Sequence, residues 1–444
     1  MSQYRAYPAY KDSGIEWIGQ VPEHWKIAQI KRISALNPRK STLSEEKDSL
    51  CTFLPMEKLR TNAVTLDETR PIHEVYGGYS YFCDGDILIA KVTPCFENGN
   101  IAIANGLVNG IGFGSTEINV LRVNGKGHNR FLYYRLQEEQ FRTIAKSEMR
   151  GTGGLKRVPT DLFESFTIGL PDTDEQATIA ATLDRETARI DALIEKKNRF
   201  VELLKEKRQG LITHAVTKGL DRNAKMKDSG IEWIGQVPEH WEATKLKHVA
   251  AFSGGGTPSK ENPDYWNGCI PWVSPKDMKH EVITDSIDHI TTKGLENSAT
   301  KLIDSGAVLL VARSGILRHT IPVGINNVPV SLNQDINALS LDQTRVRPRL
   351  ILRWVPGLNR SLLGIWAKEG ATVESLEHEY VANTRLPLPD LKEQDAILAT
   401  LDLETARIDA LISKSEQSIT LLKERRAAFI TAAVTGQIDL RGKQ

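Results

Sequence analysis

Apolar side chains recur at seven-residue spacing in two stretches of the chain, which predicts two long helices. In the first, running from Thr173 to near Thr217, one set of seam positions is Ala180, Thr187, Ile194, Val201, Arg208 and Ala215. The other set is Leu183, Ile190, Lys197, Leu204 and Leu211. The second stretch gives Leu398, Thr405, Ile412, Ile419, Arg426 and Ala433, with Leu401, Ile408, Ser415, Leu422 and Phe429. Polar residues interrupt both seams at matching places, Lys197 with Ser415 and Arg208 with Arg426. Thr173 or Asp174 can cap the first helix, with Pro171 just outside it. Elsewhere short β-like runs alternate with turns. Asp86 to Val92, Glu117 to Val123 and Ala307 to Ala312 predict strands, and Arg130 to Arg142 and Arg349 to Leu358 predict helices. The expected fold class is α+β.

The chain is written twice. Lys11 to Trp25 and Lys227 to Trp241 both read KDSGIEWIGQVPEHW, at an offset of 216. Glu186 to Ile194 and Glu404 to Ile412 both read ETARIDALI, at an offset of 218. LPDTDEQ (Leu170 to Gln176) matches LPDLKEQ (Leu388 to Gln394), and LLKEKRQGLITHAVTKGLD matches LLKERRAAFITAAVTGQID further along. Between these copies lie two segments, Lys26 to Gly169 and Glu242 to Pro387, of nearly equal length and little residue-level similarity. A solenoid would repeat everything at a shorter period. A common frame around two diverged segments is expected instead.

That pattern predicts a lead-in motif at 1–25, a globular domain at 26–170 and a helical repeat at 171–222. A second lead-in at 223–241, a second globular domain at 242–388 and a second helical repeat at 389–444 follow. Each helix has one apolar stripe, and the other copy is the natural cover. Pairing in either direction is feasible. Antiparallel pairing, which gives a coiled coil with pseudo-twofold symmetry, is the arrangement expected, with Leu183, Ile190, Ile194, Leu204, Leu401, Ile408, Ile412 and Leu422 in its seam. About 44 residues give a rod of roughly 65 Å, long enough to span one or two turns of duplex. Periodicity alone is equally compatible with a bundle that serves only dimerisation. Lys197, Arg208 and Arg426 are read as register-setting or surface residues rather than DNA ligands.

Composition narrows this only a little. The 444 residues carry a net charge of +1, so any basic surface is local. No apolar run reaches 18 residues and the start lacks a secretory signal, so no membrane span is expected. Cys51, Cys83, Cys95 and Cys269 form no C-x-x-C pair, which argues against structural zinc and fits a reducing cytoplasm.

Candidate DNA-facing groups fall in turn-rich stretches, where Arg, Lys, Asn and Gln can reach base edges and Ser and Thr suit phosphates. In the first globular segment these are Lys91, Thr93, Glu97 and Asn98, with Tyr76, Tyr79 and Tyr81 nearby and Arg150, Lys156 and Arg157 later. In the second they are Thr257, Ser259, Lys260, Lys276, Arg313, Ser314, Arg318, His319, Asn333 and Gln334. Taken singly, each is also an ordinary solvated surface residue. Trp266 and Trp272 are read as core.

Catalytic signatures are lacking: there is no nucleotide-binding P-loop, no H-E-x-x-H and no metal-ligand cluster. Two fragments imitate a methyltransferase. FSGGG (Phe252 to Gly256) resembles the F-x-G-x-G that binds S-adenosylmethionine, and NPDY (Asn262 to Tyr265) resembles N-P-P-Y. They lie too close together to serve one Rossmann-like site, because a single βαβ unit takes about 30 residues. GGGTPSK is expected to be a flexible loop.

The duplicated lead-in before a variable segment, followed by LP…EQ…ETARIDALI…LLKEKR, resembles the specificity subunit of type I restriction–modification systems over essentially the whole chain. ILIAKVTPCFENGN and VLLVARSGIL resemble recurrent stretches of that family's variable domains, and GATVESL (Gly370 to Leu376) the segment that closes one. GTGGLKR (Gly151 to Arg157) is a poorer match there. The resemblance implies two target recognition domains, each reading one half of a bipartite double-stranded DNA site. The paired helices would fix the spacer and dock two methyltransferase subunits, and two restriction subunits could join. S-adenosylmethionine, ATP and Mg would belong to those partners, leaving this chain non-catalytic and without cofactor. The competing expectations are an autonomous DNA-modifying enzyme, motivated by FSGGG and NPDY, and a coiled-coil scaffold with no DNA role.

Overall fold

A computed structural model of the chain describes residues 4–43, 46, 48–152, 154–368 and 373–442. Gly370, Ala371 and Thr372 of the GATVESL stretch, and Gly153 of GTGGLKR, lie outside the described residues. The chain divides into two compact units, one made of Met1–Asn198 with Gln417–Gln444 and the other of Arg199–Glu416. The division falls within both long helices, Thr173–Lys218 and Leu391–Val434. Each unit therefore holds one globular domain, the N-terminal part of one helix and the C-terminal part of the other.

In the first unit a four-stranded sheet runs Ile101–Ile103, Ile87–Ala90, Ile118–Val123, Ser34–Leu36, all antiparallel. A second sheet runs Thr69–Pro71, Leu50–Leu54, Ile111–Gly114, Ser80–Cys83, with one parallel pair. Helices Asn129–Arg135 and Glu139–Ser147 carry Phe131, Leu132, Tyr133, Tyr134 and Phe141 into the core. Strand Lys26–Gln29 pairs with Thr167–Leu170, so the first and last strands of the globular segment meet beside the helix start.

The second unit repeats this plan with other residues. Its larger sheet runs Ala250–Gly254, Ile336–Leu341, Val308–Val311, Val323–Asn326, Val282–Ile283. The smaller runs Asp288–Ile290, Trp266–Val273, Ser331–Leu332, again with one parallel pair. Helices Pro348–Gly357 and Asn359–Trp366 supply Trp354, Leu362 and Trp366 to the core, and Glu242–Lys245 pairs with Arg385–Leu388.

Within each unit the two helix segments run antiparallel. In the first, Ile179 and Leu183 join one core cluster with Phe429, Ile430 and Ala433, while Asp191 meets Arg426 at 2.9 Å. In the second, Ile212 and Ala215 join Ile397 and Leu401, while Arg208 meets Asp409 at 2.9 Å. Of the expected seam residues Leu183, Leu204, Leu401 and Ile408 are buried, and Ile190, Ile194, Ile412 and Leu422 are half-buried. The first helix is capped by Asp172, whose carboxylate accepts from Glu175 N at 2.9 Å, rather than by Thr173 or Asp174. Asp390 does the same for Glu393 at 2.8 Å. An aspartate one residue before the first helical position reaches the third free N–H, which a residue inside the turn cannot.

The lead-in motif is a packing device. Trp25 is fully buried, and its Nε1 donates to Glu175 Oε1 at 3.2 Å, which also accepts from Tyr7 Oη at 2.7 Å. His24 Nε2 lies 2.7 Å from the other carboxylate oxygen. The second copy repeats the pattern: Trp241 Nε1 and His240 Nε2 lie 3.0 and 2.8 Å from Glu393 Oε2. The neighbouring glutamines, Gln176 and Gln394, are also buried. Each donates to the proline carbonyl before its helix at 2.9 Å and accepts a backbone N–H from its globular domain at 2.8 Å. The E-Q pair thus bolts lead-in, helix start and domain together.

Candidate nucleic-acid interface

In the first domain, strand Ile87–Ala90 runs into a turn along which Arg150 and the residues from Gly154 to Val158 lie. Val158 N donates to Lys91 O at 2.8 Å and Thr93 N to Lys156 O at 2.9 Å. The Thr93 hydroxyl donates to Gly154 O at 2.7 Å and accepts from Lys156 N at 2.9 Å. Arg150 and Arg157 exchange backbone hydrogen bonds at 2.9 and 2.8 Å. Lys91, Thr93, Arg150 and Lys156, distant in sequence, therefore share one surface cluster. Arg157 grips Glu117 through two nitrogens, at 2.9 and 2.7 Å, and holds that carboxyl below the usual range. Its charge is matched by Glu117 at the surface. Asn98 sits at the far end of the turn, its carbonyl accepting from Thr61 Oγ1, while Arg142 clamps Glu97 O.

The tyrosines are not part of that cluster. Tyr79, just before the strand Ser80–Cys83 of the second sheet, packs edge-on to Phe53 at 4.9 Å, and buried Tyr81 within that strand bonds Cys83. Tyr76 alone of the three keeps an exposed ring, with Lys40 Nζ 5.7 Å from its centroid. Lys40 was not anticipated; neither its spacing nor its surroundings in sequence mark it.

In the second domain Ser375 pairs with Arg313, and Leu376 N donates to Ala312 O at 2.8 Å, where Arg157, Val92, Val158 and Lys91 stand in the first. Beside this crossing lies a groove of about 570 Å³, lined by Thr257, Lys260, Lys276, Arg313, Ser314, Asn333 and Gln334, with Trp272, Asp288 and Asp335. Seven of the ten expected residues converge there. The acids were missed because nothing in their spacing distinguishes them. Ser259 lies outside the groove, its carbonyl accepting from Trp266 Nε1 at 3.0 Å. Arg318 is tied to Glu374, whose carboxyl it holds low, and His319 also lies outside. Asn333 is only 5% exposed, and its side-chain oxygen accepts from Asp335 N at 3.0 Å, so it shapes the turn. Lys260 and Lys276 are exposed, with no acid in ion-pairing range among the described residues.

The glycine stretch is not a flexible loop. Gly256 N donates to Leu332 O at 2.9 Å, and Gly256 O accepts from Trp272 Nε1 at 2.9 Å. A Cβ on Gly255 would stand 2.0 Å from Asn333 O. The glycines permit a close backbone approach. Asn262 caps a single 3-10 turn, Pro263–Tyr265, through its side chain, so NPDY is a structural turn. Among the described residues no group of three or more metal-binding side chains is gathered, and no helix is long and apolar enough to cross a membrane.

Two regions of the chain, residues 22–203 and 238–421, match the type I restriction modification DNA specificity domain. The specificity subunit of the Escherichia coli type I restriction enzyme EcoR124I/EcoR124II is 30% identical over 225 residues, 50% of this chain and 48% of that one. The EcoAI specificity subunit of the same organism is 37% identical over 36% of this chain and 27% of its own. The matches thus span about half, or less, of these relatives. The MjaVIII specificity subunit of Methanocaldococcus jannaschii is 22% identical over 95% of both chains. A chain from a structure of type I R-M complex assembly shares the fold at a TM-score of 0.71 and 18% identity, over 94% of this chain and 99% of its own. The crystal structure of the HsdS subunit from Thermoanaerobacter tengcongensis does so at 0.58 and 18%, over 94% and 98%. With both halves matched to one domain description, the chain belongs to the type I restriction modification DNA specificity family.

Proposed function

We propose that this chain is the DNA sequence-recognition subunit of a type I restriction–modification complex, itself non-catalytic and without cofactor. Residues 26–170 and 242–388 are the target recognition domains, each reading one half of a bipartite duplex site. The helical repeats, 171–222 and 389–444, set the spacer and dock two methyltransferase subunits, and restriction subunits join that assembly. S-adenosylmethionine, ATP and Mg belong to those partners. The lead-ins, 1–25 and 223–241, are structural.

One observation carries this reading: the same fold position holds a polar, partly basic cluster in both domains, yet the side chains differ. Lys91, Thr93, Arg150 and Lys156 occupy it in one, and Thr257, Lys260, Lys276, Arg313 and Gln334 lie beside it in the other. A frame kept while the exposed residues change is what two different readings require. A scaffold has no reason to diversify the two framed segments while keeping the frame.

The test is methylation mapping with the chain co-expressed with methyltransferase subunits. A bipartite motif is expected, and replacing residues 26–170 with a relative's segment changes one half-site only. Binding should weaken steeply with salt, as neutralised phosphates release counterions. Random DNA bound as tightly as the motif, or methyl transfer by the purified chain alone, overturns the proposal.

A further inference from the structure

The groove of the second domain contains one side chain whose remaining hydrogen-bonding edge is fixed. The Thr257 hydroxyl donates to Gln334 Oε1. Both residues are exposed on the groove wall, and both are mounted on rigid backbone. Thr257 follows the glycines that lie against Leu332 and Asn333. Gln334 sits inside the turn closed by Asn333 and Asp335, where Asp335 O accepts from Ala312 N at 2.8 Å. With one Oε1 lone pair taken by Thr257, the amide still offers one acceptor and the Nε2 donors, side by side in one plane.

Adenine matches that edge in the major groove. Its N6 amino group donates and its N7 accepts, so one amide satisfies both at once. Guanine presents two acceptors, O6 and N7, which leaves Oε1 facing an acceptor; cytosine and thymine offer one group each. Lys260 and Lys276, exposed on the same groove, suit the flanking phosphates.

The geometry points to Gln334, oriented by Thr257, as the residue that specifies an adenine in the half-site read by the second domain. This rests on the DNA-recognition reading above. Thr257 is the positioning residue, since it acts through Gln334.

The experiment uses the complex reconstituted with methyltransferase subunits and duplexes carrying its mapped motif. At one adenine of one half-site, substitution by each other base, or by 7-deaza-adenine, should weaken wild-type binding roughly five- to a hundred-fold. Gln334→Ala should lose that discrimination and keep all others. Gln334→Glu, which retains the acceptor and lacks the donor, should shift preference toward cytosine, whose N4 donates. Thr257→Val should narrow the discrimination while Thr257→Ser retains it. A wild-type complex that is selective while Gln334→Ala and Gln334→Glu keep its full base preferences overturns this assignment alone. A wild-type complex indifferent to sequence overturns the recognition reading beneath it.

Discussion

Arg208 on the first long helix places its Nε 2.9 Å from Oδ1 of Asp409 on the second. The same charge pairing recurs: 218 positions after Arg208 stands Arg426, and 218 before Asp409 stands Asp191, with Arg426 Nε 2.9 Å from Asp191 Oδ1. One pairing written twice in exchanged order means that the two helix segments run antiparallel within each unit. The arginines that interrupt the apolar seams are thereby explained. Each sits where a core residue is expected and reaches across to an acid, which fixes register as a hydrophobic contact would not.

Reversing either acid therefore opposes like charges across the seam. Asp409→Lys and Asp191→Lys should each lower the melting temperature, and Arg208→Glu or Arg426→Glu should restore it in its own pair only. The pairs are partly exposed, so solvent screening limits each coupling to about 0.2–1 kcal/mol. A double-mutant cycle measures it. A coupling between Asp191 and Arg208 as large as that between Asp191 and Arg426 would contradict the register.

A different ion pair is fully enclosed. Arg135 Nη1 lies 2.7 Å from Glu138 Oε1 with both side chains buried, and burial pulls the guanidinium pKa down. Glu138 also accepts from Phe141 N at 3.1 Å, capping the next helix. Removing the acid strands a buried cation, so Glu138→Ala should cost about 3–5 kcal/mol. Arg135→Met combined with Glu138→Gln keeps the cap and removes both charges, and should recover most of that loss in denaturant titration. A double variant no better than Glu138→Ala would show that the charge is not what matters.

Two glycines end the long helices with positive φ, Gly219 at +73° and Gly436 at +78°. Their surroundings differ. A Cβ on Gly436 would meet Pro22 Cδ at 2.4 Å, whereas on Gly219 the nearest atom is the end of the Glu393 side chain at 3.1 Å. Both substitutions strain the backbone. Gly436→Ala must in addition push the lead-in away from the helix end. It should cost about 1–3 kcal/mol, and Gly219→Ala should fall at the low end of that range. Equal losses in thermal melting would refute the packing argument.

Much of this frame is legible in the sequence because it is local or duplicated. Seven-residue spacing marks the helices, and identity at a fixed offset marks the modules. The roles of Glu175 and Gln176 are not legible, since their partners Trp25, Tyr7 and His128 come from elsewhere in the chain. Gly255 and Gly256 read as flexible because glycine favours loops; only the strand lying beside them reveals a close approach. The shared topology of the two domains is hidden for a related reason. Core strands such as Ile87–Ala90, Ile111–Gly114 and Val308–Val311 are buried along their whole length, and such runs survive substitution by almost any apolar residue, so the sheets persist where residue matches do not. The second domain's groove gathers most of its expected residues, whereas Tyr79 and Tyr81 turn inward because nothing in their spacing separates packing from display.

Alkali should loosen the first unit before its backbone is attacked. Burial is the main cause that raises Tyr133 and Tyr81, each pushed up to about 12, and it raises Tyr7 and Tyr134 further still. Glu175 beside Tyr7 and Asp184 beside Tyr134 add to the effect, each carboxylate accepting a hydrogen bond from the phenol, at 2.7 and 2.6 Å. The unfolded chain ionises its tyrosines near pH 10, while the folded unit keeps these four neutral. The stabilisation is then fully present below pH 10 and declines progressively above it, as the unfolded state sheds protons that the folded state retains. Melting temperature should fall steadily from about pH 10 upward, with the part of the 295 nm phenolate absorbance that Tyr134→Phe removes appearing together with unfolding rather than before it. Tyr134→Phe should flatten the slope because it removes one such proton. Absorbance that titrates fully near pH 10 with the fold intact would show that these hydroxyls are not held as the structure has them.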